Sequence, residues 1–123
     1  MTDKPTAPPS IGEQELNKAY HPDDVAALRR LQSYCPDYFN IIQEFGLGSL
    51  WQRPGLSARE KELVAIAALV TQGDSEREIR QHLHTAPLRG LSITDITECI
   101  ILLSVYIGVP RTYNAMEIIR NHE

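Results

Sequence analysis

The sequence has little sulfur, few large aromatic side chains and no excess of positive charge. Of its 123 residues, two are cysteine, one is tryptophan and two are phenylalanine. Cys35 and Cys99 lie far apart and form no C-x-x-C pair. Neither a disulfide framework nor a cysteine metal site is therefore expected, and both read as buried thiols. Acidic residues outnumber basic ones, 16 to 12, for a net charge of -4. That balance argues against a nucleic-acid partner, which selects a basic face. No apolar run approaches the ~20 residues of a membrane span, so no membrane partner is expected. The opening MTDKPTAPPS lacks the basic start and apolar core of a secretory signal, and the expected location is cytoplasmic. No strand-like alternation and no internal repeat stand out.

What is present is a succession of helical patterns. Residues 1 to about 12 hold three of the eight prolines and little that packs, and read as a flexible tail. Residues 13–123 read as one helical domain of about six helices, giving an all-α fold class. The first helix starts from His21 with Asp23 and Asp24 in its first turn, where negative charge suits the helix dipole. Cys35-Pro36 breaks it, because the residue before proline avoids the helical region. A second helix is expected from Pro36 to about Phe45, with Phe39, Ile42 and Phe45 inward. GLGSLWQRPG follows as a loop.

Ser57 and Glu60 have the spacing of a capping box and open a third helix. That helix is apolar on every side from Leu63 to Val70, which predicts a central position. Gly73 ends it, and Asp74 is expected to cap a polar fourth helix over about 75 to 88. Pro87 lies in the last turn of that helix and predicts a kink near the histidines, and Gly90 supplies the stop. Ser92 and Asp95 repeat the capping-box spacing before a fifth helix that carries Ile96, Ile100, Leu103 and Tyr106. Pro110 suits the start of a sixth.

Four fragments in order make a more specific statement. They are FGLGSLWQRPGLS, REKELVAIAALVTQG, HLHTAPLRGLSITDITECIILLSVYIGVP and NAMEI. Together they cover roughly residues 40 to 120, and the chain resembles the carboxymuconolactone decarboxylase family of the wider alkylhydroperoxidase-like superfamily. The resemblance implies an all-helical subunit that assembles into trimers or hexamers, with its site at a subunit boundary. It places the family's glutamate on Glu62 and its histidine on His82 as catalytic residues. It places the family's tryptophan and arginine on Trp51 and Arg53 as substrate-binding residues. The redox branch carries C-x-x-C-x-x-x-H. Here Ser75 and Glu78 occupy the cysteine positions, and neither group can exchange disulfides. APLRG departs from the asparagine-rich segment common in the family, and His84 stands where arginine is common. Both changes bear on the substrate more than on the fold.

The implied reaction removes carbon dioxide from an unsaturated lactone in aromatic-compound breakdown. The electron pair left behind spreads through the double bond into the lactone carbonyl, so no cofactor and no metal are expected. An arginine suits an anionic substrate. A histidine suits proton delivery near neutral pH. A carboxylate can orient the imidazole. Each residue also has a plainer reading. Glu62 could simply favour a helix N-terminus. His82 could pair at the surface with Glu78, four residues earlier. Trp51 could pack, and Arg53 could cap a neighbouring helix. His84 points away from His82 and reads as a surface or interface residue. Arg89 and Arg111 are further candidate anion binders. Two other functions stay open, a peroxide or disulfide redox enzyme and a non-catalytic oligomeric binding protein with the same fold.

Overall fold

The computed structural model describes residues 7–122. Among them are seven α-helices, with no strand. The first half of the expected tail, residues 1–6, lies outside the described residues. Its last two positions already belong to a helix, α1 (Ile11–Ala19), which precedes the first one expected from the pattern. Then come α2 (Pro22–Tyr34) and α3 (Pro36–Asn40). A π-helical segment, Ile41–Leu47, and a 3-10 turn, Leu50–Gln52, lead to α4 (Ala58–Gln72). The remaining helices are α5 (Glu76–Thr85), α6 (Ile93–Ile107) and α7 (Val109–Arg120), with a 3-10 turn, Ala86–Arg89, after α5. No helix of the described residues is long and apolar enough to cross a membrane.

The chain forms two compact units. Among the described residues, one comprises residues 7–18 together with Pro22–Arg53, and the other comprises Ala19–His21 with residues 54–122. In the first unit Leu16, Phe39 and Leu47 are buried. Phe45 was expected inside, and it is exposed instead. The cause is the wide π-helical turn, which shifts the helical phase so that Phe39, Gln43 and Leu47 face inward at intervals of four.

The second unit holds the main core. Ile66 and Val70 of α4, Ile79 and Leu83 of α5, Ile96 and Ile100 of α6 and Ala115 of α7 form one apolar cluster. Both predicted capping boxes are present. Ser57 accepts from the Glu60 backbone while Glu60 accepts from the Ser57 backbone, and Ser92 and Asp95 do the same. Each saturates two backbone donors that a helix start leaves unpaired.

Three local expectations need correction. α4 is not buried all round, since Val64 and Ala68 are exposed and only Glu62, Ile66 and Val70 form its inner stripe. Asp74 does not cap α5. It takes a left-handed φ of 50°, and Ser75 precedes the helix with its hydroxyl donated to the Leu69 carbonyl at 2.5 Å. Tyr106 does not join the α6 core. It is 76% exposed, because the inward positions of that helix are Ile96 and Ile100, continued by the partly buried Leu103 and Ile107, and Tyr106 lies off that stripe.

Candidate active site

The site begins with one residue out of place. Glu62 lies one turn before Ile66 on the inner stripe of α4, so the helix that buries Ile66 and Val70 buries a carboxylate too. Glu62 is 0% exposed. An isolated buried carboxylate is strongly unfavourable, so partners must come from elsewhere in the fold. Two do. Nδ1 of His82, on α5, faces Glu62 Oε1. Nη1 of Arg89, from the 3-10 turn after α5, donates to Glu62 Oε2 at 2.8 Å. One carboxylate oxygen therefore serves the imidazole and the other the guanidinium.

Local sequence explains how both arrive. α5 buries Ile79 and Leu83 on one face. His82 sits beside that face, with its side chain only 13% exposed. Glu78, the surface partner suggested by spacing, is exposed, and the carboxylate paired with His82 is Glu62. α5 stops at Thr85, and the chain tightens through Ala86–Arg89. Pro87 fits such a turn because it has no N–H to place in the helical ladder. The expected kink is thus a change from α to 3-10 geometry. Gly90, with φ +82°, closes the turn through bonds from Gly90 N–H to Pro87 and from Leu91 N–H to Ala86. A left-handed φ of this kind suits glycine. The turn leaves the Arg89 side chain 4% exposed against Glu62. The Tyr20 ring lies 6.0 Å from the Arg89 guanidinium, a cation–π distance.

Burial acts to raise the Glu62 pKa. The hydrogen bonds and charges of His82 and Arg89 outweigh it, and the carboxyl is held below its ordinary value of 4.5. Glu62 is therefore an anion at neutral pH. An ionised carboxylate can only accept hydrogen bonds, so Nδ1 of His82 carries the proton between them. Nε2 is the ring nitrogen left to gain or lose a proton. This is the arrangement of a buried carboxylate orienting a general acid or base.

Glu62 and His82 are thus brought together as expected from sequence. Trp51 and Arg53 belong to the other compact unit. Trp51 lies on the 3-10 turn Leu50–Gln52, and Arg53 ends that turn in an extended conformation. Arg89 had a lesser place in the sequence reading, as a candidate anion binder, and it is a direct partner of Glu62. Its signal was indirect. A glutamate on an apolar stripe requires a buried cation, and APLRG supplies one where the family motif differs.

The other candidates fall elsewhere. His84 lies between two further imidazoles in tilted contact, His21 at 4.7 Å and His122 at 5.0 Å between ring centres. Among the described residues no group of three histidine, cysteine or acidic side chains is placed to hold a metal ion. Both cysteines are free thiols of intermediate exposure. Burial pushes the Cys99 thiol up from its ordinary pKa, which makes it less reactive. Arg111 donates to the Gln72 carbonyl at 3.0 Å. It also lines a cavity of about 400 Å³ with Gly73, Ser75, Ile79 and Asn114. None of Glu62, His82 and Arg89 lines that cavity.

Comparison with known proteins places the chain in a family. The carboxymuconolactone decarboxylase family profile matches residues 36–121. A 4-carboxymuconolactone decarboxylase of Acinetobacter baylyi is 33% identical over 106 residues, covering 86% of this chain and 72% of that protein. A nitrosuccinic acid decarboxylase of Metarhizium robertsii is 29% identical over 90 residues, covering 73% of this chain and 62% of that protein. An uncharacterized 15.0 kDa protein of Paracoccus denitrificans is 28% identical over 107 residues, covering 85% of this chain and 80% of that protein. The matched profile takes in well over half of the sequence, including Glu62, His82 and Arg89, and the chain belongs to the carboxymuconolactone decarboxylase family.

Proposed function

We propose that the protein is a carboxy-lyase that uses no cofactor and removes carbon dioxide from a small carboxylated lactone formed in aromatic-compound breakdown. The observation that carries this reading is the buried Glu62–His82 pair, which leaves one imidazole nitrogen available for proton transfer. Two similar proteins are named for decarboxylation of different acids. Both names describe a carboxylate with its own electron-withdrawing group, a lactone carbonyl in one and a nitro group in the other. The common demand on such a site is a placed proton donor.

In the proposed step the bond from the ring carbon to the carboxylate breaks and carbon dioxide leaves. The electron pair moves through the double bond onto the lactone carbonyl oxygen. The imidazolium form of His82 then gives its Nε2 proton to carbon, and solvent returns a proton to the neutral ring. Glu62 stays ionised throughout and steadies the imidazolium. His82 is the catalytic residue in this scheme, and Glu62 acts through it. Arg53 keeps its role as the binder of the substrate carboxylate, and Trp51 its role as a substrate contact. For Arg53 this predicts that Arg53→Gln raises KM more than it lowers kcat.

The same reading makes the protein a homo-oligomer, a trimer or hexamer. Leu102, Val105 and Tyr106 of α6 and Val109 and Tyr113 of α7 are each more than half exposed. Large apolar side chains left exposed on adjoining helices typically mark an interface. Sedimentation of the wild type and of Val105→Glu tests it. A monomeric wild type contradicts it.

The direct test of function is carbon dioxide release from carboxymuconolactone by the wild type and by His82→Ala. Activity in the wild type with a loss of ~10²- to 10⁴-fold in the variant supports the proposal. Equal inertness of the two proteins overturns the substrate assignment.

A further inference from the structure

Glu62 has two partners, and the reaction scheme uses only one. Arg89 is the other, and its side chain is as secluded as the carboxylate it meets. The bond joins residues 27 apart in sequence and lies within the second compact unit. A guanidinium buried against a carboxylate has no free face to offer a substrate anion, so its earlier reading as an anion binder does not suit its position. Its chemistry points inward.

We propose that Arg89 is a positioning residue of this site: by fixing Glu62 as an anion it fixes the tautomer of His82, with the proton on Nδ1 and the working lone pair on Nε2.

The physical reason is a competition for one proton. A carboxylate with no exposed surface and only an imidazole beside it is exposed to the full penalty of burial. Once the pair holds two protons and the ring is imidazolium, that penalty favours moving the Nδ1 proton to the carboxyl oxygen. The protonated carboxyl would then donate to Nδ1, and the ring, now neutral, would keep its remaining proton on Nε2. The orientation of the imidazole would be unchanged, and its acid–base polarity would be reversed. The permanent positive charge of Arg89 on Oε2 opposes that transfer, since arginine stays charged at any working pH. The same charge also opposes a second proton on the pair.

The groups around the pair support a single dominant cation. The titratable and charged partners acting on Glu62 among the described residues are His82 from α5 and Arg89 from the turn. Arg59 of α4, whose side chain approaches Gly90, pairs instead with Asp95 of α6 at 3.4 Å. Arg111 of α7 is bonded to the end of α4 at Gln72. Arg80 of α5 pairs with Glu76 at 2.7 Å on the surface. The APLRG segment, where the chain departs from the family motif, thus delivers the residue that holds the charge state of the site.

This inference rests on the reading of His82 as the proton carrier, but its test needs no substrate. Nitrogen-detected NMR of the full chain labelled with ¹⁵N-histidine reports the tautomer and titration of His82 directly, with His82→Gln assigning the signal. In the wild type the neutral ring is expected to show Nδ1–H and an unprotonated Nε2. In Arg89→Gln the pair is expected to hold its second proton to higher pH, by about one unit or more. That is a tenfold or greater change in proton occupancy at a fixed pH. Arg89→Lys, which keeps the charge, is expected to restore most of the wild-type titration. A neutral wild-type ring with the proton on Nε2 overturns the proposal, even where Arg89→Gln does not fold. So does an Arg89→Gln protein that titrates as the wild type does. Absence of lactone decarboxylation alongside the expected NMR result would remove the substrate assignment and leave the role of Arg89 intact.

Discussion

Helices α4 and α6 start and stop in the same way. Each runs for 15 residues from a serine capping box to a glycine of positive φ, Gly73 in one and Gly108 in the other. Each contributes isoleucine to the same core. They differ in one inward position. The inner stripe of α6 is Ile96 and Ile100, and that of α4 is Glu62, Ile66 and Val70. α6 therefore needs only a shape to fit, whereas α4 needs two hydrogen-bond donors in fixed places, the His82 imidazole and the Arg89 guanidinium. The difference shows how one helical plan can be made structural or chemical by a single buried side chain. The cost of that side chain is met by His82 and Arg89, which α5 and its following turn supply.

The first way to break the comparison is at His82. His82→Ala is expected to lower kcat for carbon dioxide release by ~10²- to 10⁴-fold with the fold retained. Circular dichroism and steady-state kinetics on one preparation check both halves. A stability change of the same size as that of a core deletion would make His82 structural.

The next largest effect is on stability. Glu62→Ala strips Arg89 and His82 of their buried anion, and breaking such a pair costs about 3 to 5 kcal/mol. Ile100→Ala on α6 opens a cavity at about 2 to 5 kcal/mol. Urea denaturation of both variants measures them. The comparison predicts that Ile100→Ala keeps kcat close to wild type per folded molecule, while Glu62→Ala loses it.

A pH series sharpens the contrast further. The Glu62 carboxyl sits below its ordinary value in the folded protein, so the folded state binds that proton more weakly than the unfolded chain. Its contribution to stability is fully present above the unfolded carboxylate value and is lost as pH falls through the lower folded value. Denaturation from about pH 6 to about pH 3 should therefore show a steeper loss for the wild type than for Glu62→Gln. Identical slopes would mean that Glu62 is not held ionised.

The smallest expected effects are at the shared features. Ser57→Ala and Ser92→Ala each remove one capping box, at about 1 kcal/mol. Because the two boxes are built alike, their costs should be similar, and neither should change the pH dependence of activity.

The features that α4 and α6 share were also the ones readable from sequence. A capping box is decided within four residues, so Ser57-Glu60 and Ser92-Asp95 announce themselves. Gly73 marks a stop for an equally local reason. Phe45 was misplaced because nothing in its neighbourhood signals the π-helical turn, which changes the phase of the face. The site was legible in part. Glu62 and His82 were identified through a family resemblance, 20 residues apart and with no local sign of contact. The partnership of Arg89 with Glu62 was missed because it depends on how the turn after α5 folds back on α4. One signal was available, since helical spacing puts Glu62 in line with Ile66 and Val70, and a carboxylate on an apolar stripe needs a buried cation.

The central claim is that Glu62 and His82 act as one unit, and a double-mutant cycle on kcat tests it most directly. Glu62→Gln, His82→Gln and the double variant would be compared with the wild type for carbon dioxide release. Residues that work as a unit are strongly non-additive, so the double variant should be no slower than His82→Gln alone. Losses that multiply, with the double variant slower than His82→Gln by the full Glu62→Gln factor, would contradict the account.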